Sequence, residues 1–220
     1  MASSFKTIDP KDIVSTRNLL HEAIPITGTI VSGTYADNNI KNYSHGMFQS
    51  IYDYPFLSSS ANHILDLSCG YSSVSGLSGA ASQQNAKKIN IYNEMAQVLA
   101  GFDENGNVRR FDEDGDLTGG AKINEAYIIN FTRLLAKDEI KKGSFTLELG
   151  VTQDYLSPFT ERIKLTDASG STGFKVNSPA GEYGILSMSA GALTGTPKCG
   201  LLFYQAGIAV LSGSVFTDSD

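Results

Sequence analysis

Tryptophan is absent from this chain, cysteine occurs twice and histidine three times. Each scarcity excludes something. Cys69 and Cys199 lie too far apart in sequence for a local zinc knuckle, and two cysteines are too few for a disulfide framework. They are expected as buried free thiols, which suits assembly in a reducing cytosol. His21, His45 and His63 form no His-x-x-x-His pair, and the chain holds neither a Gly-x-Ser-x-Gly elbow nor a phosphate-cradling Gly-x-x-x-x-Gly-Lys. A hydrolase built on His63 with Asp66 or Ser68 stays open on sequence alone, although a lone histidine in a strand is usually structural.

Charge is scarce as well, at 18% of residues, with a net charge of −6. Nucleic-acid binding needs a concentrated basic patch, because phosphate contacts dominate that affinity. The densest basic runs are the pairs Lys87-Lys88 and Lys141-Lys142, so neither nucleic acid nor an anionic membrane surface is an expected partner. The longest apolar run, GLLFYQAGIAVL from Gly200 to Leu211, is about half of what a membrane span needs. The opening MASSFKTIDPKD lacks the basic stretch and apolar core of a signal peptide. A soluble protein is therefore expected, and the sequons at Asn42 and Asn130 carry no weight without a secretory signal.

What the chain does hold is glycine, at 22 residues, and an apolar fraction of 41%, enough for a real core. Few charges with many small, β-branched and aromatic residues favour short strands joined by tight turns. Asp9-Pro10 suits a helix start, as N-cap and first helical residue. Strands are expected in ITGTIVSGTY (26–35), HILDLSCGYS (63–72), INEAYIINFTRLL (123–135), SFTLELGV (144–151), RIKLTD (162–167) and FKVN (174–177), and again over 182–189 and 201–216. ASGSTG (168–173) reads as a turn. One helix stands out near residues 85–100, where Ile89, Tyr92, Ala96 and Leu99 share a face and Gly101 follows as the terminating glycine. The expected fold is mainly β, an antiparallel sandwich-like or β-rich α+β arrangement with that single clear helix. Residues 1–60 form an N-terminal strand or arm with an aromatic region, and 61–220 the β-rich domain, the two able to be one continuous unit. Tyr43, Phe48, Tyr52, Tyr54 and Phe56 are candidates for packing against neighbours, since aromatics are enriched at interface cores; they serve equally well as the domain's own core.

The stretch FDENGNVRRFDEDGDL (102–117) is the one dense cluster of carboxylates. Counted as a calcium loop from Asp112, it offers Asp112, Asp114 and Asp116 as ligands. The sixth position, where a sharp bend is needed, is Leu117, and the twelfth, where a bidentate Glu closes the shell, is Ile123. Those three aspartates are weak metal candidates at most. Asn105-Gly106 and Asp114-Gly115 instead suit two tight hairpin turns with positive φ at both central residues, and Val108–Phe111 a short strand between them. Cleavage of a glycosidic bond by paired acids needs a separation that sequence does not show.

Five segments carry a resemblance: KKINIYNEMAQVLAGFDENGNVRRFDEDGD (87–116), FTRLLAKDEIKKGSFTLELG (131–150), RIKLTDASGS (162–171), NSPAGEYG (177–184) and GLLFYQAGIAVLSGSVF (200–216). Together they resemble virion structural proteins of contractile-tailed phages of marine cyanobacteria. The resemblance spans roughly residues 60–216, and GLLFYQAGIAVL is its most specific piece. It implies a virion subunit of the tail or baseplate, without catalytic residues or cofactor, that associates with itself and with other virion proteins. A capsid decoration or neck protein is the alternative within that class. A virion protein that binds or cleaves carbohydrate through the acidic turns is the alternative outside it.

Overall fold

A computed structural model describes residues 40–43, 47–52, 63–79, 83–117, 119–135, 138–150, 160–190 and 198–216. The helix expected at Asp9-Pro10, the strand expected over 26–35, and both Tyr54 and Phe56 lie outside them. The fold is mainly β. In chain order the strands are β1 (Ile40–Asn42), β2 (Phe48–Tyr52), β3 (His63–Tyr71), β4 (Phe111–Asp112), β5 (Lys122–Ile123), β6 (Glu125–Asn130), β7 (Thr146–Gly150), β8 (Arg162–Thr166), β9 (Tyr183–Ala190), β10 (Lys198–Phe203) and β11 (Ile208–Ser212). Helix α1 (Gln83–Leu99) follows β3, and the one-turn α2 (Gly170–Gly173) follows β8.

Nine strands form one curled antiparallel sheet in the order β1-β2-β3-β6-β11-β10-β9-β8-β7, and β4-β5 make a separate ribbon. The chain runs β1 to β3, leaves the sheet for α1 and the ribbon, and returns as β6 beside β3. It then crosses to the far edge at β7 and steps back strand by strand until β11 pairs with β6. Polar and apolar residues alternate on β8, where Ile163 and Leu165 are buried and Arg162 and Lys164 are not. On β10 and β11 nearly every residue is buried, so both faces of this central hairpin are covered. That is why GLLFYQAGIAVL reads as one apolar run, with no alternation.

One core lies between the sheet and the α1-ribbon layer. Tyr92, Ala96 and Leu99 of the helix meet Phe111 and Ile123 of the ribbon and Ile128, Leu201 and Phe203 of the sheet. Helix and sheet approach closely because position 70 has no side chain; a Cβ there would stand 2.7 Å from the Lys88 carbonyl oxygen and 2.8 Å from the Tyr92 nitrogen. The Tyr92 hydroxyl donates to the Ile123 carbonyl (2.6 Å) and accepts from the Phe111 N–H (3.1 Å), tying helix to ribbon. The helix ends as its face pattern requires: Ala100 and Gly101 both donate to the Ala96 carbonyl, and Gly101 has φ +79°.

The second core covers the opposite face, with Leu165, Leu186, Met188, Leu202 and Leu211 roofed by Leu134, Ile140 and Phe145 of the β6–β7 connection. That connection is held by Asp167, whose carboxylate accepts from the Gly143 and Phe145 N–H groups (2.7 and 2.8 Å) and from the Tyr204 hydroxyl (3.1 Å). Cys199 is buried and Cys69 half-buried, both as free thiols.

Three local expectations need correction. FKVN contributes a single bridge, Lys175 to Tyr183, and no strand, while ASGSTG closes as the helical turn α2. The strand expected over 123–135 stops at Asn130, where the Asn130 side chain accepts from the Thr132 N–H and a 3-10 turn begins.

Two outcomes follow from this packing. Gly70→Ala should cost about 2 kcal/mol in urea unfolding, because the helix must move off β3, whereas Gly76→Ala, with open space around its Cβ, should be near neutral. Burial also raises the Tyr92 and Tyr183 phenols from 10.0 to about 12 and the Cys199 thiol from 9.0 to about 12. The native state keeps these protons where the unfolded chain loses them, so their contribution is complete below pH 9 and lost on going up to pH 12. The unfolding free energy measured against pH should fall from pH 9, then more steeply from pH 10, by at most about 1.4 kcal/mol per pH unit for each group. Cys199→Ala should remove the first part of that decline.

Candidate functional site

The acidic stretch builds two unlike loops. In the first, the Gly106 N–H donates to the Asp103 carbonyl (3.1 Å) and the Asp103 N–H to the Asn107 carbonyl (2.8 Å). Gly106 has φ +79° and Asn105 does not share that sign. The reversal is thus a three-residue turn with a glycine bulge, not the two-residue turn with two positive φ angles expected from Asn-Gly. Asp103 Oδ1 accepts from the Asn105 and Asn107 N–H groups, each 2.8 Å, and Oδ2 from the Asn107 side chain (3.2 Å). Those donors, the Asn107 backbone foremost, hold the Asp103 carboxyl below the usual range. The strand expected over Val108–Phe111 is reduced to a bridge between Phe102 and Val108 and the short β4.

The second loop is wider. It joins β4 to β5, and the Glu113 N–H to Ala121 carbonyl bond (3.1 Å) closes it. Phe111 and Ile123 anchor its base in the first core, which places Asp112 directly opposite Lys122. Their side chains meet at 2.5 Å, with Asp112 only 2% exposed. The Asp114 N–H reaches Asp112 Oδ1 (3.4 Å), and the Asp116 N–H reaches Asp114 Oδ1 (3.3 Å). Asp114 also faces Lys198 at 3.8 Å. The structure therefore brings Asp112, Asp114 and Asp116 together, with one oxygen of each within 4.8 Å of the others. Asp103 is not among them.

The backbone corrects one point of the calcium reading. Leu117, at the sixth position, does make a left-handed bend, with φ +65°. Leu117 lines a small cleft with Leu99, Phe111, Tyr183 and Phe203. The closing Glu is absent, and Ile123 in its place is 1% exposed in the core. With one converging oxygen each, the three carboxylates supply three of the six to eight oxygens a calcium shell takes, and one of them already serves Lys122. Burial, then Asp112, raises the neighbouring Glu113 carboxyl. Gly115 is fixed from outside the loop: its carbonyl accepts from Asn177 Nδ2 (3.0 Å), and Tyr183 packs against it while donating to Asn177 Oδ1 (2.7 Å). Lys122 escaped sequence reading because the length of the loop sets its register, and Lys198, Asn177 and Tyr183 because they reach the loop only through the tertiary fold.

His63 does meet Asp66, at 2.6 Å, but the hydroxyl on the same oxygen belongs to Ser50 of β2 (2.7 Å), not to Ser68. Serine and histidine both contact the carboxylate, so the serine-to-histidine contact that activates a nucleophile is not formed by these residues. Tyr52 stacks on His63 at 5.0 Å, and Tyr43 meets Phe48 edge-on at 5.0 Å. All three aromatics are half-buried, engaged within the chain yet still reachable from outside. No helix among the described residues is long and apolar enough to cross a membrane.

The Asp112–Lys122 pair should hold the wide loop. Lys122→Ala strands a buried carboxylate and is expected to cost about 3 kcal/mol. In a double-mutant cycle, Lys122→Ala with Asp112→Ala should cost less than the sum of the single changes. Strict additivity in chemical denaturation would show that the pair does not couple the strands.

No family model, curated protein or solved structure matches this chain.

Proposed function

We propose that the chain is a non-enzymatic structural subunit of a phage virion, of the tail or baseplate, acting by oligomerisation and by contact with other virion proteins. The observation that carries this reading is the resemblance of the five segments to virion proteins of contractile-tailed cyanobacterial phages. Those segments supply most of α1, the first acidic loop and the acids of the second, β7, β8 and most of the β10–β11 hairpin. They are spread around both cores, so the resemblance concerns the architecture and not a single loop. Exposed apolar side chains support it further. Val98, Phe102 and Val176 stand in water at 63%, 52% and 70% exposure. They sit on segments joined at the C-terminal end of α1 by the Ser178 hydroxyl bond to the Leu99 carbonyl and the Arg109 N–H bond to the Gly101 carbonyl. An assembled subunit would cover such groups. A capsid decoration or neck position is the alternative place in the particle.

The convergence of Asp112, Asp114 and Asp116 favours one further reading, a virion protein that binds or cleaves carbohydrate at the wide loop. The buried, paired state of Asp112 and the self-contained turn of Asp103 weigh against it. On the structural reading, mass spectrometry finds the chain in purified particles of the phage that encodes it, and light scattering finds the isolated protein above monomer mass. A monomer missing from the particles sinks that reading. Glycan binding abolished by Asp114→Ala with Asp116→Ala would replace it with the carbohydrate one.

A further inference from the structure

Asn105 and Gly106 form the most exposed reversal of the acidic stretch, and both are open to solvent. Among the described residues the Asn105 carboxamide has no hydrogen-bond partner; only its backbone N–H is engaged, by Asp103 Oδ1 at 2.8 Å. A residue followed by glycine meets little steric resistance when the next backbone nitrogen turns back on its side chain. The chemistry is self-contained. The Gly106 nitrogen attacks Asn105 Cγ, a C–N bond forms, ammonia leaves with the proton shed by that nitrogen, and water then opens the five-membered imide to aspartate or isoaspartate.

We propose that Asn105 is a spontaneous modification site whose rate is set by the Asp103 clamp. The attacking nitrogen is the one whose N–H is held on the Asp103 carbonyl at 3.1 Å. The Asp103 carboxylate fastens the turn on both sides of it, through the N–H groups of Asn105 and Asn107. Its donors favour the ionised form, so the clamp is closed at neutral pH. While closed, it keeps the Gly106 N–H on the Asp103 carbonyl, a bond that must break before that nitrogen can turn on Cγ; once open, the reaction adds a negative charge beside Asp103 and Glu104. An isoaspartate product also lengthens the backbone inside the turn and removes the register that pairs Phe102 with Val108.

The test follows conversion at Asn105 by peptide mapping during mildly alkaline incubation. It compares the full chain, the full chain with Asp103→Ala, and a free peptide covering residues 101–109. The peptide should convert fastest, the wild-type chain slowest, and Asp103→Ala several-fold faster than wild type. Asn177, which precedes Ser178 and is hydrogen-bonded to Gly115 and Tyr183, reports whether the variant is still folded. Its conversion should stay slow in both proteins. A wild-type rate equal to the peptide's overturns the proposal. So does an Asp103→Ala rate equal to wild type, or acceleration at Asn105 and Asn177 alike, which would assign the effect to lost folding.

Discussion

A single buried carboxylate, that of Asp167, fixes how the chain crosses from the centre of the sheet to its far edge. It is 0% exposed and lies just after β8. A charge in that position is tolerated only when donors surround it, and here two backbone N–H groups and the Tyr204 hydroxyl do so. The Tyr204 phenol is in turn pushed upward by burial and by the Asp167 charge, so it stays a donor. Space around this contact is so tight that a Cβ at Gly170 or Gly184 would fall on the Tyr204 hydroxyl. Lys142 closes the arrangement from outside, paired with Glu139 (3.1 Å) and Glu182 (2.6 Å), and these partners raise its own affinity for the proton. This fastening fixes the end of the β6–β7 connection at Gly143 and Phe145, while the Ile140 N–H bond to the Tyr204 carbonyl and the Phe131 N–H bond to the Gly207 carbonyl hold the part before it.

Aspartate thus does three different jobs within one fold. At position 103 it is a solvent-facing organiser of its own turn. At 112 it is half of a cross-strand ion pair. At 167 it replaces the ladder that a crossing segment cannot form. Local environment separates them, and the residue type alone does not. The same holds for the acids at 114 and 116, which the wide loop gathers although neither is needed to close it.

Features with a repeating pattern were legible in the sequence. The helix showed through Tyr92, Ala96 and Leu99, which the structure buries, and β8 through its strict alternation. Features that depend on partners far along the chain were not. Asp66 reads as half of a histidine pair, yet Ser50 joins it only because β2 lies beside β3. Asn-Gly at 105–106 promises a two-residue reversal; the Asp103 side chain selects a longer one by supplying an acceptor inside the loop. The bend at Leu117 was hidden because a leucine rarely adopts it, and the cleft it lines is assembled from α1, β4, β9 and β10. The acidic triad was named from spacing, while its basic neighbours emerged only from the fold.

The return of β11 to β6 has a temporal side. β6 sits in the middle of the sheet with β3 on one flank, but its other flank waits for Ile208–Ser212, the last strand described. During synthesis, Glu125–Asn130 therefore leaves the ribosome with one row of backbone donors and acceptors open until the final hairpin arrives. The apolar surface of α1 and the ribbon is likewise incomplete until Leu201 and Phe203 are in place. Such long-range closure is slow compared with local folding. A half-made chain therefore presents an unfinished strand edge to its neighbours, and crowding of nascent copies is the stage at which this protein is most exposed to wrong pairing.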